Sequence, residues 1–282
     1  MHKSLILLLP DIVNQGLRQA SHFLSALEGR HEPASSRIGH ALRPVSPGHN
    51  HLVCGDDLGV LVALLAGDHH LPKLHARVKL ICFDPCMGEP AAGSNLRSAT
   101  EQLVALSVRL LLMRALLADT GFICVKLAHP TAPGARLVVD TVFGTENNAQ
   151  DILWQTPPSQ RMASTALRHG LMHIYTKHRR RMEPALPDST AHRQPSSCAA
   201  EAMLRHLLAV TTAPGDTVVS FNAAEEIASV ASTSPRQWII ATPDTAVGDA
   251  LDQRMADGCG RSFLRHALPA SCRHQQAPFA SR

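Results

Sequence analysis

The feature that most constrains the fold is an apolar run at residues 78–83, VKLICF, that stops abruptly at Asp84-Pro85. A short run of β-branched and apolar residues is typical of a strand buried on both faces of a parallel sheet. In open α/β sheets the ligand crevice lies beyond the carboxyl ends of the strands. Asp84 is therefore predicted to lie at the rim where ligands bind, although an ordinary Asp-Pro turn is the commoner explanation of such a pair in isolation.

Strands and helices alternate along the rest of the chain. A strand at 51–54, a Gly-Asp-Asp turn and a helix at 58–65 precede the apolar run, and a longer helix after it starts at a capping box, Ser98–Glu101, and is predicted to close at Gly121. Further strands are predicted at residues 122–125, 152–154, 171–176, 217–221 and 238–241, and further helices at 137–143, 199–210, from 224, and at 247–255. This alternation predicts an α/β fold built from βαβ units.

Segments without apolar periodicity mark the predicted domain limits. Residues 1–49 are predicted to be an N-terminal extension and linker, 50–262 the folded domain with an insert or hinge at 150–198, and 263–282 a basic tail. The apolar N-terminus faintly resembles a signal peptide. It breaks at Pro10 without a cleavage pattern and is too short to span a bilayer, so we expect a cytoplasmic protein with no membrane contact.

Composition narrows the functional classes. The 282 residues, of which 45% are hydrophobic and 18% charged, exclude a disordered chain and suffice for a core. The net charge of +4 permits a polyanionic partner without requiring one. The seven cysteines form no CxxC pair, and three lie in apolar strand-like runs, which indicates buried thiols in a reducing compartment. No metal site is predicted, because Cys82 and Cys86 could share an ion only if the strand bent sharply.

The order of these features resembles that of the permuted, or beta-class, amino-methyltransferases of DNA, and most of all the modification subunit of type III restriction systems. The matching segments are residues 50–58, 78–85, 109–110, 116–123, 140–148, 154, 169–177, 214–219 and 236–240. The resemblance implies a Rossmann-like, S-adenosylmethionine-dependent methyltransferase fold, with a mostly parallel sheet, helices on both faces, and the catalytic strand ahead of the cofactor strand.

The resemblance also implies methyl transfer to an exocyclic amine of a flipped-out base, of the adenine-N6 type. In the family motif Asp-Pro-Pro-Tyr or Phe, the Asp and the following carbonyl accept the amine hydrogens and the aromatic ring stacks on the base. Asp84 and Pro85 match, whereas Cys86 replaces the second proline and Met87 the aromatic residue. These four are the candidate catalytic residues, and lost stacking at Met87 is expected to cost about 1–3 kcal/mol.

The cofactor side departs further from the family. The motif Asp-x-Phe-x-Gly-x-Gly-Thr corresponds here to residues 220–227, SFNAAEEI, in which no glycine is kept. Glu225 and Glu226 are more simply favourable first-turn helix residues, Asp56 is explained equally well as a helix cap, and Lys126-Leu127 replaces the polar pair that often follows the next strand. The candidate cofactor-binding residues implied by the resemblance are Asp56, Ser220, Phe221, Asn222, Ala224 and Asp244.

Two functions remain open on this basis. The first is a divergent site-specific DNA methyltransferase whose activity is weak or lost, and the second is an inactive paralogue that binds DNA or a partner. A domain that binds another nucleotide is a third, blander alternative. The expected partners are DNA, a restriction or second methyltransferase subunit, and a second copy of the chain. The candidate DNA-binding cluster, for which a solvated surface is the alternative, comprises His178, Arg179, Arg180 and Arg181.

Overall fold

The computed structural model describes residues 5–28, 50–67, 71–85, 96–128, 132–156, 168–178, 197–222, 227, 230–231, 233–243, 248–249, 252–253 and 263–268. The helices are α1 (Leu5–Glu28), α2 (Asp57–Ala66), α3 (Leu96–Leu116), α4 (Ala132–Phe143) and α5 (Ser197–Thr211), with a 3₁₀ turn at Thr145–Asn147. The strands are β1 (Asn50–Cys54), β2 (Val78–Phe83), β3 (Leu117–Ala128), β4 (Asn148–Thr156), β5 (Arg168–Thr176), β6 (Thr217–Phe221), β7 (Gln237–Thr242) and β8 (Phe263–Ala267).

The eight strands form one mixed sheet in the order β4-β5-β3-β2-β6-β7-β1-β8. The pairs from β3 to β8 along this order are parallel, and β5 runs antiparallel to both of its neighbours. The prediction of a mostly parallel α/β sheet is confirmed. Because β2, β6, β7 and β1 are parallel, their carboxyl ends meet at a single rim, which brings together residues far apart in the chain.

Apolar side chains cover both faces of the sheet. Helices α1 to α4 pack on the face that carries Ile81, Phe83, Val125 and Phe221. Helix α5 and the described residues 227, 230 and 231 cover the opposite face, which carries the alternate strand residues, such as Leu80. The predicted arrangement with helices on both faces is therefore confirmed. Among the described helices, none combines the length and the apolarity needed to cross a membrane.

The N-terminal residues correct one prediction. Folded structure was predicted to begin near residue 50, but α1 buries Ile12, Val13 and Ala20, and it packs along α3. The sequence analysis took Pro10 as a break, whereas Pro10 lies inside α1. Packing of the apolar face of α1 outweighs the local cost of that proline.

Other elements also lie outside the predicted limits. Strand β8 falls in the predicted tail and pairs with β1, and strands β4 and β5 fall largely in the predicted insert and extend the sheet. The remaining domain limits stay predictions. The helices predicted from 224 and at 247–255 lie mostly outside the described residues, and those of their residues that are described are helical.

The junction between α3 and β3 also differs from the prediction. Helix α3 ends at Leu116 and β3 starts at Leu117, so Gly121 lies within the strand instead of closing the helix. A Cβ at Gly121 would lie 2.8 Å from the carbonyl oxygen of Val78. Glycine is needed there because β3 approaches β2 closely where the pairing of the two strands shifts register.

Candidate active site

The turns after β2 and β6 are joined at the rim of the sheet. The backbone N–H of Asp84 donates to the carbonyl oxygen of Phe221 at 3.3 Å. The side-chain Nδ2 of Asn222 donates to the carbonyl oxygen of Asp84 at 3.0 Å. Asn222 has φ of 55°, a left-handed conformation that asparagine tolerates better than most residues. The candidate catalytic and cofactor turns therefore lie side by side.

The carboxylate of Asp84 forms an ion pair with Lys126. Lys126 Nζ lies 3.0 Å from Asp84 Oδ2, and the two side chains are 31% and 41% exposed. Cys82 of β2 pairs in register with Cys124 of β3. Because side chains alternate along a strand, the residues two positions further on, Asp84 and Lys126, project on the same face. Lys126 was not among the predicted site residues, although this register explains its position.

The two cysteines beneath this ion pair are inert. Cys82 and Cys124 are both free and buried. Burial raises the pKa of the Cys82 thiol to about 12. Burial also raises the pKa of Cys124 well above its ordinary value, with a further contribution from Cys82. Both side chains therefore remain neutral thiols, and the prediction of buried cysteines is confirmed for the three that the structure records as free, Cys54, Cys82 and Cys124.

A cavity of about 280 Å³ lies between the strand ends and α3. This volume is at the lower end of the roughly 300–1,000 Å³ that is usual for small-molecule sites. Phe83 and Pro85, the neighbours of Asp84, both line the cavity, whereas the Asp84 carboxylate is directed towards Lys126. The lining residues are Asp56, Asp57, Phe83, Pro85, Gln102, Ala105, Leu106, Arg109, Asn222 and Pro243.

The two aspartates after β1 have different roles. Asp56 is the N-cap of α2, since its Oδ1 accepts hydrogen bonds from the backbone N–H groups of Leu58 and Gly59 at 3.0 and 3.1 Å. Asp57 is more buried, with 12% of its side chain exposed, and its Oδ2 lies 3.7 Å from Arg109 Nε. The same oxygen accepts from Asn222 Nδ2 at 3.0 Å. Sequence reasoning missed Asp57 and Arg109 as site residues because each is also an ordinary helix residue.

The cavity contains acceptor atoms without donors. Asp57 Oδ1 and Asn222 Oδ1 are buried, and neither has a hydrogen-bond partner within the part of the chain that the structure describes. Burial raises the pKa of Asp57, and this effect is opposed by Arg109 and by the hydrogen bond from Asn222. Buried acceptors are costly unless a donor reaches them. The arrangement suits a ligand that brings N–H or O–H groups.

Asp57→Asn should stabilise the fold at neutral pH. Because burial raises the folded-state pKa, the carboxyl contributes most stability when it is protonated and loses that contribution as the pH rises through the raised pKa. The gain from Asn should therefore be largest at about pH 8 and shrink towards pH 4, as measured by urea midpoints. The matched control is Asp56→Asn, which retains a capping acceptor and should change the midpoint little. Destabilisation by Asp57→Asn at neutral pH would mean that the pairing with Arg109 outweighs burial.

The other candidate residues divide into two groups. Ser220 and Phe221 are fully buried and do not line the cavity, and Phe221 packs edge-on against Phe83 with ring centroids 6.4 Å apart. The described structure therefore places them under the site and not in it. His178 is exposed. The remaining candidates lie outside the described residues: Cys86, Met87, Ala224, Asp244, Arg179, Arg180 and Arg181.

Comparison with known proteins gives one match in sequence. No family model matches the chain. A segment of 90 residues is 28% identical to the Mod subunit of the type III restriction-modification enzyme EcoP15I from Escherichia coli. The match covers 32% of this chain and only 14% of the length of that relative.

Solved structures match over most of the chain. TTHA0409 of Thermus thermophilus, named as a DNA modification methylase and solved in complex with S-adenosyl-L-methionine, has a TM-score of 0.56 at 16% identity, covering 78% of this chain and 99% of the other. The chain has the fold of a DNA methyltransferase. PvuII DNA methyltransferase, which is cytosine-N4-specific, has a TM-score of 0.50 at 13% identity, covering 75% of this chain and 92% of the other. The Rossmann-like methyltransferase fold predicted from the sequence is thus confirmed.

Proposed function

We propose that this DNA methyltransferase-like chain transfers a methyl group from S-adenosylmethionine to the exocyclic amine of a flipped-out base, and that adenine is the base. The observation that carries the proposal is the contact between the Asp84 and Asn222 turns at the sheet rim, beside a cavity lined by both Pro85 and Asn222. Ligands of open α/β sheets bind at this edge. The choice of adenine depends on the resemblance to type III modification subunits.

The cavity residues fit parts of S-adenosylmethionine. Its ammonium and ribose hydroxyl groups can donate to the buried acceptors Asp57 Oδ1 and Asn222 Oδ1, and Arg109 offers a cation to its carboxylate. When bound, the cofactor would supply an electrophilic methyl group. Residues 220–227 keep neither family glycine, so close backbone approach is restricted and we expect weak affinity.

Asp84 would act on the base by placement. In this proposal its Oδ1 and the carbonyl oxygen of Pro85 accept the two amine hydrogens. The nitrogen is then drawn towards tetrahedral geometry, which localises the lone pair that attacks the methyl group. Asn222 and the backbone of Phe221 hold the Asp84 main chain in position.

A second candidate function is binding without transfer. Two observations favour it: Lys126 already occupies one oxygen of Asp84, and the glycines of the cofactor turn are absent from the sequence. On this alternative the chain is a DNA-binding or partner-binding subunit, for example beside a restriction or second methyltransferase subunit, or as a homodimer. The basic cluster at residues 178–181 would then contact phosphates.

One experiment separates these functions. Purified protein is titrated with tritiated S-adenosylmethionine and incubated with mixed-sequence DNA, which is then digested to nucleosides for mass spectrometry. We expect saturable binding and N6-methyladenine. N4-methylcytosine would overturn the choice of adenine. DNA retention without cofactor binding would support the second function, and binding of neither ligand would contradict both.

A further inference from the structure

We propose that Lys126 and Asp84 form a single donor and acceptor pair that recognises the Watson–Crick edge of an amino-bearing base. This assigns Lys126 a specificity-determining role at a position where the family resemblance predicts none. The inference rests on the proposed function in one respect, since it requires that an extruded or single-stranded base reaches the rim beside Asp84. It does not require that a methyl group is transferred.

The pair has the spacing and the access that such recognition needs. Lys126 Nζ and Asp84 Oδ2 are 3.0 Å apart, and both side chains are partly exposed at the carboxyl ends of adjacent strands. A lysine ammonium carries three donor hydrogens, so contact with Asp84 leaves capacity for a second acceptor. Lys126 contacts Oδ2 of the carboxylate, and Oδ1 is the oxygen offered to a base.

The two groups are held from behind. Cys82 and Cys124, in register on β2 and β3, are buried directly beneath Asp84 and Lys126. The main chain of Asp84 is fixed at its N–H by Phe221 and at its carbonyl by Asn222. A donor and an acceptor anchored on two adjacent strands are pre-organised, so less conformational entropy is lost when a ligand binds.

Only some bases complement this pair. On adenine an exocyclic amine, which donates, lies beside the ring nitrogen N1, which accepts; on cytosine the N4 amine lies beside N3 in the same way. Asp84 would accept from the amine while Lys126 donates to the ring nitrogen. Thymine and guanine carry a hydrogen on the corresponding ring nitrogen, which would face the Lys126 ammonium and leave two donors opposed. Flipped bases are commonly recognised along this edge.

Homopolymeric oligonucleotides test the inference without knowledge of a target sequence. Fluorescence anisotropy would compare oligo-dA with the same strand containing 1-deazaadenine, which lacks the ring acceptor, and 7-deazaadenine, which keeps it. We expect wild-type protein to bind the 1-deaza strand about tenfold more weakly and the 7-deaza strand normally, as one lost base contact would predict. Oligo-dC should bind like oligo-dA, and oligo-dT more weakly.

Two variants attribute this discrimination to Lys126. Lys126→Met should bind oligo-dA and the 1-deaza strand equally, whereas Lys73→Met, which removes an exposed lysine before β2, should keep the difference. Persistent discrimination in Lys126→Met, equal binding of both strands by wild-type protein, or no oligonucleotide binding would overturn the inference. Discrimination without cofactor binding would leave the base-reading pair intact and contradict only the methyl transfer.

Discussion

Asp84→Asn should lower kcat for methyl transfer to DNA by about 10²–10³-fold, as the loss of one positioned electrostatic contact to the reacting group typically does. The amide is nearly the same size as the carboxylate, but it carries no charge and has one acceptor atom in place of two. In the native chain Lys126 already contacts Asp84 Oδ2. In the variant the base amine and Lys126 would compete for a single oxygen.

The affinity for S-adenosylmethionine should change little in the same variant, because the Asp84 carboxylate points away from the cavity that Asp57 and Asn222 line. Single-turnover transfer and equilibrium cofactor binding measure the two effects separately. Asp119→Asn is the matched control, since Asp119 lies in β3 ahead of the register shift and its side chain is 48% exposed. An unchanged kcat in Asp84→Asn would contradict the proposed contact with the amine.

Ile12→Ala should lower the free energy of unfolding by about 2–5 kcal/mol, the usual cost of truncating a large core side chain. Ile12 is 1% exposed and belongs to the cluster that α1 shares with α3 and the sheet. The matched control lies on the same helix: Leu7 is 72% exposed, and Leu7→Ala should change stability by less than about 0.5 kcal/mol. Urea unfolding at equal protein concentration measures both.

Close helix contact supports the same expectation. A Cβ at Gly16 would lie 1.7 Å from Ser107 Oγ and 2.9 Å from Ser107 Cβ, and Ser107 is completely buried in α3. The two helices therefore meet at a glycine that leaves no room for a side chain. Equal effects of Ile12→Ala and Leu7→Ala would show that α1 is not docked as described and that the fold is stable without it.

Local sequence patterns predicted the centre of the sheet. The apolar run at 78–83 can only be buried, because a strand with no polar face must be covered on both sides. That requirement, and the alternation with helical periodicity, placed β2 and β6 close to their observed limits. The Asp-Pro pair placed a carboxylate at the strand end because strand ends in such sheets are where the chain turns.

Residues whose function depends on distant partners were not predicted. Asp57 and Arg109 are separated by 52 positions, yet they meet across the cavity. Lys126 looked like a departure from the family until the pairing of β2 with β3 placed it against Asp84. Ser220 and Phe221 were predicted cofactor contacts, but the alternation along β6 and the packing of its end bury both.

The sequence by itself determined that the chain makes a mostly parallel α/β sheet with a carboxylate at one strand end, since burial of uninterrupted apolar runs and the periods of helix and strand are local properties. Only the tertiary structure decided that α1 belongs to the core, that Asp57 and not Asp56 has a carboxylate oxygen left without a donor in the cavity, and that Lys126 pairs with Asp84. These outcomes depend on strand register and helix docking. Both are set by which surfaces exclude water together, and no short stretch of sequence contains that information.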